Sequence, residues 1–259
     1  MEKQEQLPDL SPQERARYAR HLVLPHIGEQ GQKRLKKARV LLVGVGGLGS
    51  AIALYLTGVG VGHIGLVDDD IVSLSNLQRQ ILHSTAWLDR PKVESAAHRM
   101  ADLNPDIETR AHVSRFTADS GLALAAGYDL IIDGTDNFQA RYDINDTCLN
   151  LGIPYVYGAI FRLEGQVSVF CANDGPCYRC VFPEPPPDPV LTGEEAGILG
   201  AIPGTIGTIQ ATEAIKMIVG FGSPLIGRLL VYDGAGMRFD DIHIAKNPEC
   251  PACGSVSSA

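Results

Sequence analysis

Along most of the chain, apolar residues come in short continuous runs divided by glycines and polar clusters, rather than in strict alternation. Runs of that kind mark strands buried on both faces. Arg39 to Val43 is the first, followed by a glycine cluster and a helix pattern over 48–59, and His63 to Val67 is the second. Ser11-Pro12-Gln13-Glu14 predicts a helix start, with Ser11 as N-cap, Pro12 in the first turn and Glu14 completing a capping box; the basic helix runs to about residue 20. Residues 29–37 lead into the first strand. Pro91-Lys92-Val93-Glu94 opens another helix, and Ile107 to Val113 and Tyr128 to Asp133 read as strands around a short helix near 117–126.

Strands alternating with helices mean a parallel sheet. After Asn150 the texture changes. Pro154 to Ile160 and Gly165 to Cys171 read as neighbouring strands, a proline-rich loop runs over 183–189, and a helix pattern covers about 204–219. Arg228 to Asp233 with Met237 to Ile244 suggest a final hairpin. The expected fold is α/β: a doubly wound, mostly parallel, Rossmann-like sheet with an antiparallel C-terminal extension. We expect residues 1–28 to form a helical arm. Residues 29–259 are expected to be a single unit, with a Rossmann-like half at 38–150 and a second half at 151–254.

Composition narrows the function classes. The 259 residues carry 22 Lys+Arg against 30 Asp+Glu, a formal charge of −8, which argues against nucleic acid as partner. The segment Val40 to Val67 has no charged residue, yet its glycines at 44, 46, 47, 49, 58, 60, 62 and 65 break it into strand, turn and helix, so no membrane span is expected. The N-terminus lacks an apolar signal core, and a cytoplasmic location is expected.

Gly44-Val45-Gly46-Gly47-Leu48-Gly49 follows a strand and opens a helix, the setting in which G-x-G-x-x-G binds a phosphate. Asp68 ends the next strand, where a carboxylate can accept both ribose hydroxyls. A nucleotide site follows, and the commonest owner of this pattern is an NAD-dependent oxidoreductase. Hydride transfer, however, needs no set of cations around the phosphates, whereas breaking a triphosphate does.

Those cations are present downstream. Asp68-x-Asp70, the run Ser73-Leu74-Ser75-Asn76-Leu77-Gln78-Arg79-Gln80, Pro91-Lys92 and Asp133-Gly134-Thr135-Asp136-Asn137, together with two Cys-x-x-Cys pairs, closely resemble the MoeB/ThiF family, bacterial relatives of ubiquitin-activating enzymes. The resemblance covers about residues 11–254. It implies a nucleotidyltransferase that uses ATP to adenylate the C-terminal glycine of a small ubiquitin-fold sulfur carrier ending in Gly-Gly. Pyrophosphate leaves, and sulfur later displaces the adenylate to give a thiocarboxylate. Gly44, Gly46 and Gly47 then match the phosphate-approach loop, Asp68 the ribose ligand, and Asn76, Arg79 and Lys92 the groups around the phosphates. Asp136 matches a Mg²⁺-associated aspartate, and Arg20 an arginine supplied to the neighbouring subunit's ATP, which implies a homodimer. The molybdopterin-synthase carrier is favoured, with the thiazole-pathway carrier of thiamine synthesis as the alternative. A tRNA-modifying dehydratase of the same superfamily fits less well, given the net charge and the paired cysteines. A silent binding subunit would have lost the cations.

Cys177, Cys180, Cys250 and Cys253 supply four thiolates, a set that makes a closed structural Zn²⁺ site, as the family also carries. Many relatives have a further cysteine where this chain has Gly193, so sulfur is expected from a separate donor. Little chain follows the second pair, and no attached sulfurtransferase domain is expected. Cys148 and Cys171 sit in apolar surroundings and read as buried structural thiols. Tyr155 to Val169 and the loop 183–197 are candidate carrier surfaces. Arg162 either holds the carrier tail or pairs with Glu164.

Overall fold

The computed structural model describes residues 7–186 and 196–254. Gly193 and the stretch 187–195 of the proline-rich loop lie outside them. Eight strands form one sheet: β1 (Arg39–Val43), β2 (His63–Asp68), β3 (Glu108–Val113), β4 (Leu130–Asp133), β5 (Tyr155–Phe161), β6 (Glu164–Phe170), β7 (Arg228–Asp233) and β8 (Arg238–His243). Their order is β3-β2-β1-β4-β5-β6-β7-β8. The strands from β3 to β5 pair in parallel and those from β5 to β8 antiparallel, so the doubly wound fold with an antiparallel extension is borne out.

The helices are α1 (Pro12–Arg17), α2 (Ala19–Leu22), α3 (Gly28–Lys37), α4 (Gly47–Val59), α5 (Lys92–Leu103), α6 (Ala118–Ala125), α7 (Phe138–Leu151), α8 (Tyr178–Val181) and α9 (Ala201–Val219). Val40 and Leu42 of β1 pack with residues of α3, α4, α5 and α9 in one core. Leu41 and Val43 pack with residues of α6, α7 and α8 in the other. Helices on both faces are the reason this strand is apolar at successive positions, and each such buried side chain contributes about 1.5–3 kcal/mol. β8, by contrast, is exposed along its whole length at the sheet edge.

The capping box at Ser11 and Glu14 forms as expected, but the helix it opens breaks at Tyr18, where ψ rises to 17°. Three further features go beyond the sequence expectations. Residues 28–37 are helical: α3 buries only Gly31, Gln32 and Leu35, too thin a stripe to show as an apolar period. Pro91, expected near the first helical position, is the N-cap of α5. Helix α7 shows no clear apolar period, because Arg141, Asp143, Asn145 and Thr147 are buried on it beside its apolar residues. Among the described residues no helix is long and apolar enough to cross a membrane.

β1 has β2 on one side and β4 on the other, so the chain reverses direction across the sheet between β1 and β4. Ligands of open α/β sheets bind at the carboxyl ends of strands at such a point. The glycine cluster follows β1, and Asp136 follows β4.

Candidate nucleotide site and cysteine cluster

Gly44 leaves β1 with φ +87°, a conformation glycine adopts without strain, and its N–H donates to the Val67 carbonyl at 2.8 Å. A Cβ there would lie 2.7 Å from the Gly134 backbone, while a Cβ on Gly49 or on Gly134 would collide with the Gly44 carbonyl oxygen. Three glycines thus let the turn after β1, the turn after β4 and the first turn of α4 meet. Gly46 is the N-cap of α4 and brings no side-chain cap, so the helix start presents its N–H groups and positive dipole end to the crevice.

Asp68 closes the rear of this loop. Its Oδ2 accepts the Val45 N–H at 2.8 Å and its Oδ1 the Asp70 N–H at 2.9 Å. Burial raises its carboxyl above the ordinary aspartate range, against the pull of those two N–H groups and of Lys92. Buried His83 braces the loop from below, with Nε2 2.9 Å from the Val45 carbonyl and Nδ1 3.0 Å from Ser95 Oγ. Burial lowers its basicity, which favours the neutral ring. A carbonyl only accepts, so Nε2 carries the proton and Nδ1 accepts from Ser95.

Of the remaining expected residues, Asn76, Arg79 and Lys92 lie beside the same loop. Asn76 Oδ1 accepts from Gln80 Nε2 at 3.0 Å, and that amide lies 3.4 Å from where a Cβ on Gly46 would sit. The Arg79 stem lies beside Gly47, and among the described residues its guanidinium makes only a long contact, Nη1 to the Ser75 carbonyl at 3.4 Å. Lys92 Nζ donates to Asp70 Oδ2 at 2.8 Å. Asp136 is exposed just before Asn137, whose Oδ1 caps α7 through the Ala140 N–H at 2.9 Å. Arg20 sits exposed on α2, with no contact to the turns after β1 and β4 among the described residues.

Sequence reasoning missed the support beneath Asp136. Asp133 is 0% exposed, and burial raises its carboxyl. Its Oδ2 accepts from Tyr155 Oη at 2.8 Å and lies 3.7 Å from Arg141 Nε, while its Oδ1 accepts from Thr135 at 2.8 and 2.7 Å. Arg141 in turn lies over the rings of Phe138 and Tyr157. The signal was present as an arginine and an aspartate in an apolar setting, but an unread α7 hid their facing. Arg162 does not pair with Glu164; its guanidinium lies 5.2 Å from the Phe161 ring centroid, at a turn where Arg162 itself has φ 55°.

The two Cys-x-x-Cys pairs meet. Sulfur separations of 3.8 Å (Cys177 to Cys180), 3.6 Å (Cys177 to Cys250) and 3.4 Å (Cys180 to Cys253) lie close to the roughly 3.8 Å that a tetrahedral Zn²⁺ with ~2.3 Å bonds requires. All four sulfurs lie within 4.8 Å of one another. The set fits a structural zinc ion with no open position. Cys148 and Cys171 are buried, as expected, and burial pushes both thiols up, away from reactivity.

Comparison with known proteins gives the chain's family and fold. The ThiF family model matches residues 18–252. A probable adenylyltransferase/sulfurtransferase, MoeZ of Mycobacterium tuberculosis, is 48% identical over 93% of this chain, which spans only 63% of that relative's length. A sulfur carrier protein adenylyltransferase of Thermus thermophilus is 43% identical over 92% of this chain and 90% of its own. The SAMP-activating enzyme E1 of Haloferax volcanii is 46% identical over 92% of this chain and 88% of its own. Among solved structures, E. coli MccB with ATP matches with a TM-score of 0.81 at 20% identity, covering 92% of this chain and 75% of that one, a likeness of fold.

Proposed function

Since the chain belongs to the ThiF family, we propose that it adenylates the C-terminal glycine of a small ubiquitin-fold sulfur carrier, with ATP as the second substrate. The carrier for molybdopterin synthase is the favoured partner, and the thiazole-pathway carrier the alternative. The observation that carries the reading is the joining of an uncapped helix start after β1, the ribose-type carboxylate Asp68 at the end of β2 and the cation Lys92, held to Asp70 just beyond it, around one glycine loop. Named relatives that adenylate sulfur carriers support it.

A carboxylate is already nucleophilic at neutral pH, so no general base is needed. The difficulty is bringing one anion onto another: two unit charges about 4 Å apart repel by roughly 4 kcal/mol at an effective dielectric of 20. In our reading Gly46, Gly47 and the α4 N-terminus take phosphate oxygens, Asp68 takes the ribose hydroxyls, and Asn76, Arg79 and Lys92 surround the phosphates. The carrier carboxylate oxygen then bonds to the α-phosphorus as the bond to the bridging oxygen breaks, and pyrophosphate carries away the electron pair. Asp136, an exposed carboxylate at this crevice, suits Mg²⁺, which would supply further neutralisation of phosphate charge. Arg20 would reach the second subunit's nucleotide in a homodimer. Residues 29–259 act as one adenylation unit with 1–28 as its arm, and sulfur comes from a separate donor.

ATP–pyrophosphate exchange with Mg²⁺ tests the reading, with the two candidate carriers assayed separately and a carrier lacking its terminal Gly-Gly as control. Exchange dependent on one intact tail is expected. Folded, ATP-binding protein that exchanges with neither carrier would overturn it.

A further inference from the structure

Lys92 opens α5 with its side chain 5% exposed, yet its ammonium donates to a carboxylate, Asp70, that is 70% exposed. Main chain joins them too, since the Lys92 N–H donates to the Asp70 carbonyl at 2.9 Å. The Asp70 N–H reaches Asp68 Oδ1, and Asp68 Oδ2 takes the Val45 N–H, so one line of bonds runs from the glycine loop to the Lys92 ammonium. The Lys92 charge is felt along that line: it helps hold Asp68 ionised and opposes protonation of His83.

A buried ammonium needs an anionic partner when the crevice holds no phosphate. An exposed carboxylate is a partner that can be given up, because on release it rotates into water at little cost. Asp69 next to it points elsewhere and meets Arg115 at 3.2 Å.

We propose that Asp70 is a positioning residue that serves as an exchangeable counter-ion: it holds the Lys92 ammonium at the glycine loop until a nucleotide phosphate displaces it. The proposal rests on the nucleotide-adenylating reading above and adds a competitor built into the site. Two opposite effects follow from one carboxylate. It weakens ATP binding, because phosphate must displace it, and it speeds the chemical step, because Lys92 is already aimed when the phosphate arrives.

Equilibrium titration of ATP with Mg²⁺ into zinc-loaded protein tests this, comparing wild type with Asp70→Asn, Lys92→Met, the double variant and Asp69→Asn. Asp70→Asn should bind ATP about three- to tenfold more tightly, and Lys92→Met more weakly. The double variant should match Lys92→Met within about twofold, since Asp70 then has no ammonium to hold. At saturating ATP, Asp70→Asn should also exchange more slowly, so kcat and KM fall together, a pairing that a merely loosened fold does not produce. Asp70→Ser serves if Asp70→Asn fails to fold. Unchanged or weaker ATP binding by the folded variant, tightening that persists without Lys92, or equal tightening in Asp69→Asn would each overturn the proposal. If the titrations follow the expected pattern but wild type exchanges with no carrier, the carrier reading fails and the counter-ion stands; wild type that binds no ATP overturns both.

Discussion

Asp68 is pulled in two directions, by burial toward the neutral acid and by two N–H groups and Lys92 toward the anion, and burial prevails. The sign for stability follows. With its pKa raised in the fold, the folded protein holds a proton that the unfolded chain has already lost, so stability falls as pH climbs from the ordinary aspartate range through the raised value. Relative to Asp68→Asn, wild type should therefore lose stability over that interval in urea melts; parallel pH profiles would refute it. Arg79 belongs to the same scale. Its guanidinium has little to hold among the described residues, and Arg79→Ala should lower carrier-dependent exchange at least ~100-fold while leaving the melting temperature nearly unchanged. These residues were legible in sequence because each sits in a short ordered run after the glycine loop. His83, Asp70's hold on Lys92, and the Asp133–Tyr155–Arg141 cluster were not, since His83 meets Val45, Lys92 meets Asp70 and Tyr155 meets Asp133 across 38, 22 and 22 positions, and Arg141, eight positions from Asp133, meets it only through the unpredicted α7.

At the scale of elements, the close approach of the turns after β1 and β4 brings the turn that carries Asp136 up to the first turn of α4. Gly49→Ala should test it: the methyl group meets the Gly44 carbonyl, and the loop must shift or strain, at a cost of about 1–3 kcal/mol by denaturant titration, with ATP affinity falling as well. An unperturbed variant would mean that the turns are looser than they look. The parallel strands were readable because helices on both faces make them apolar throughout. α7 was not, because Arg141, Asp143 and Asn145 are buried on it, with partners of their own such as the Tyr178 N–H on Asn145 Oδ1 at 2.8 Å and Gln139 Nε2 on Asp143 Oδ1 at 2.9 Å, and a helix lined with buried polar groups carries no clean period. Likewise α9 was read short at its start: Pro203 lies in its first turn, where a missing N–H costs nothing.

For the whole molecule, Arg20 and Asp136 stand at opposite ends of the argument about subunits. If Arg20 serves the neighbouring subunit's nucleotide, mixing Arg20→Ala with Asp136→Ala, each inactive alone, should restore about a quarter of wild-type exchange after random reassortment, since half the dimers are mixed and each has one complete site. No recovery after subunit exchange would place Arg20 within its own subunit's site or outside any.

The cysteine cluster joins Cys177 to Cys250, 73 positions apart, and the stretch between them contains α9, which packs against the helix of the glycine loop, as well as β7 and β8. What such a clip changes most is the disordered chain. Tying off a loop of that length removes conformations worth roughly 4 kcal/mol from the unfolded ensemble, if the metal stays bound there. Zinc that leaves on unfolding would instead stabilise through its own binding energy, and the melting temperature would then rise with free zinc concentration. Cys250→Ala should lower the melting temperature and abolish that dependence while the sheet still forms; a variant that melts like wild type would show that the sulfurs hold no metal that matters.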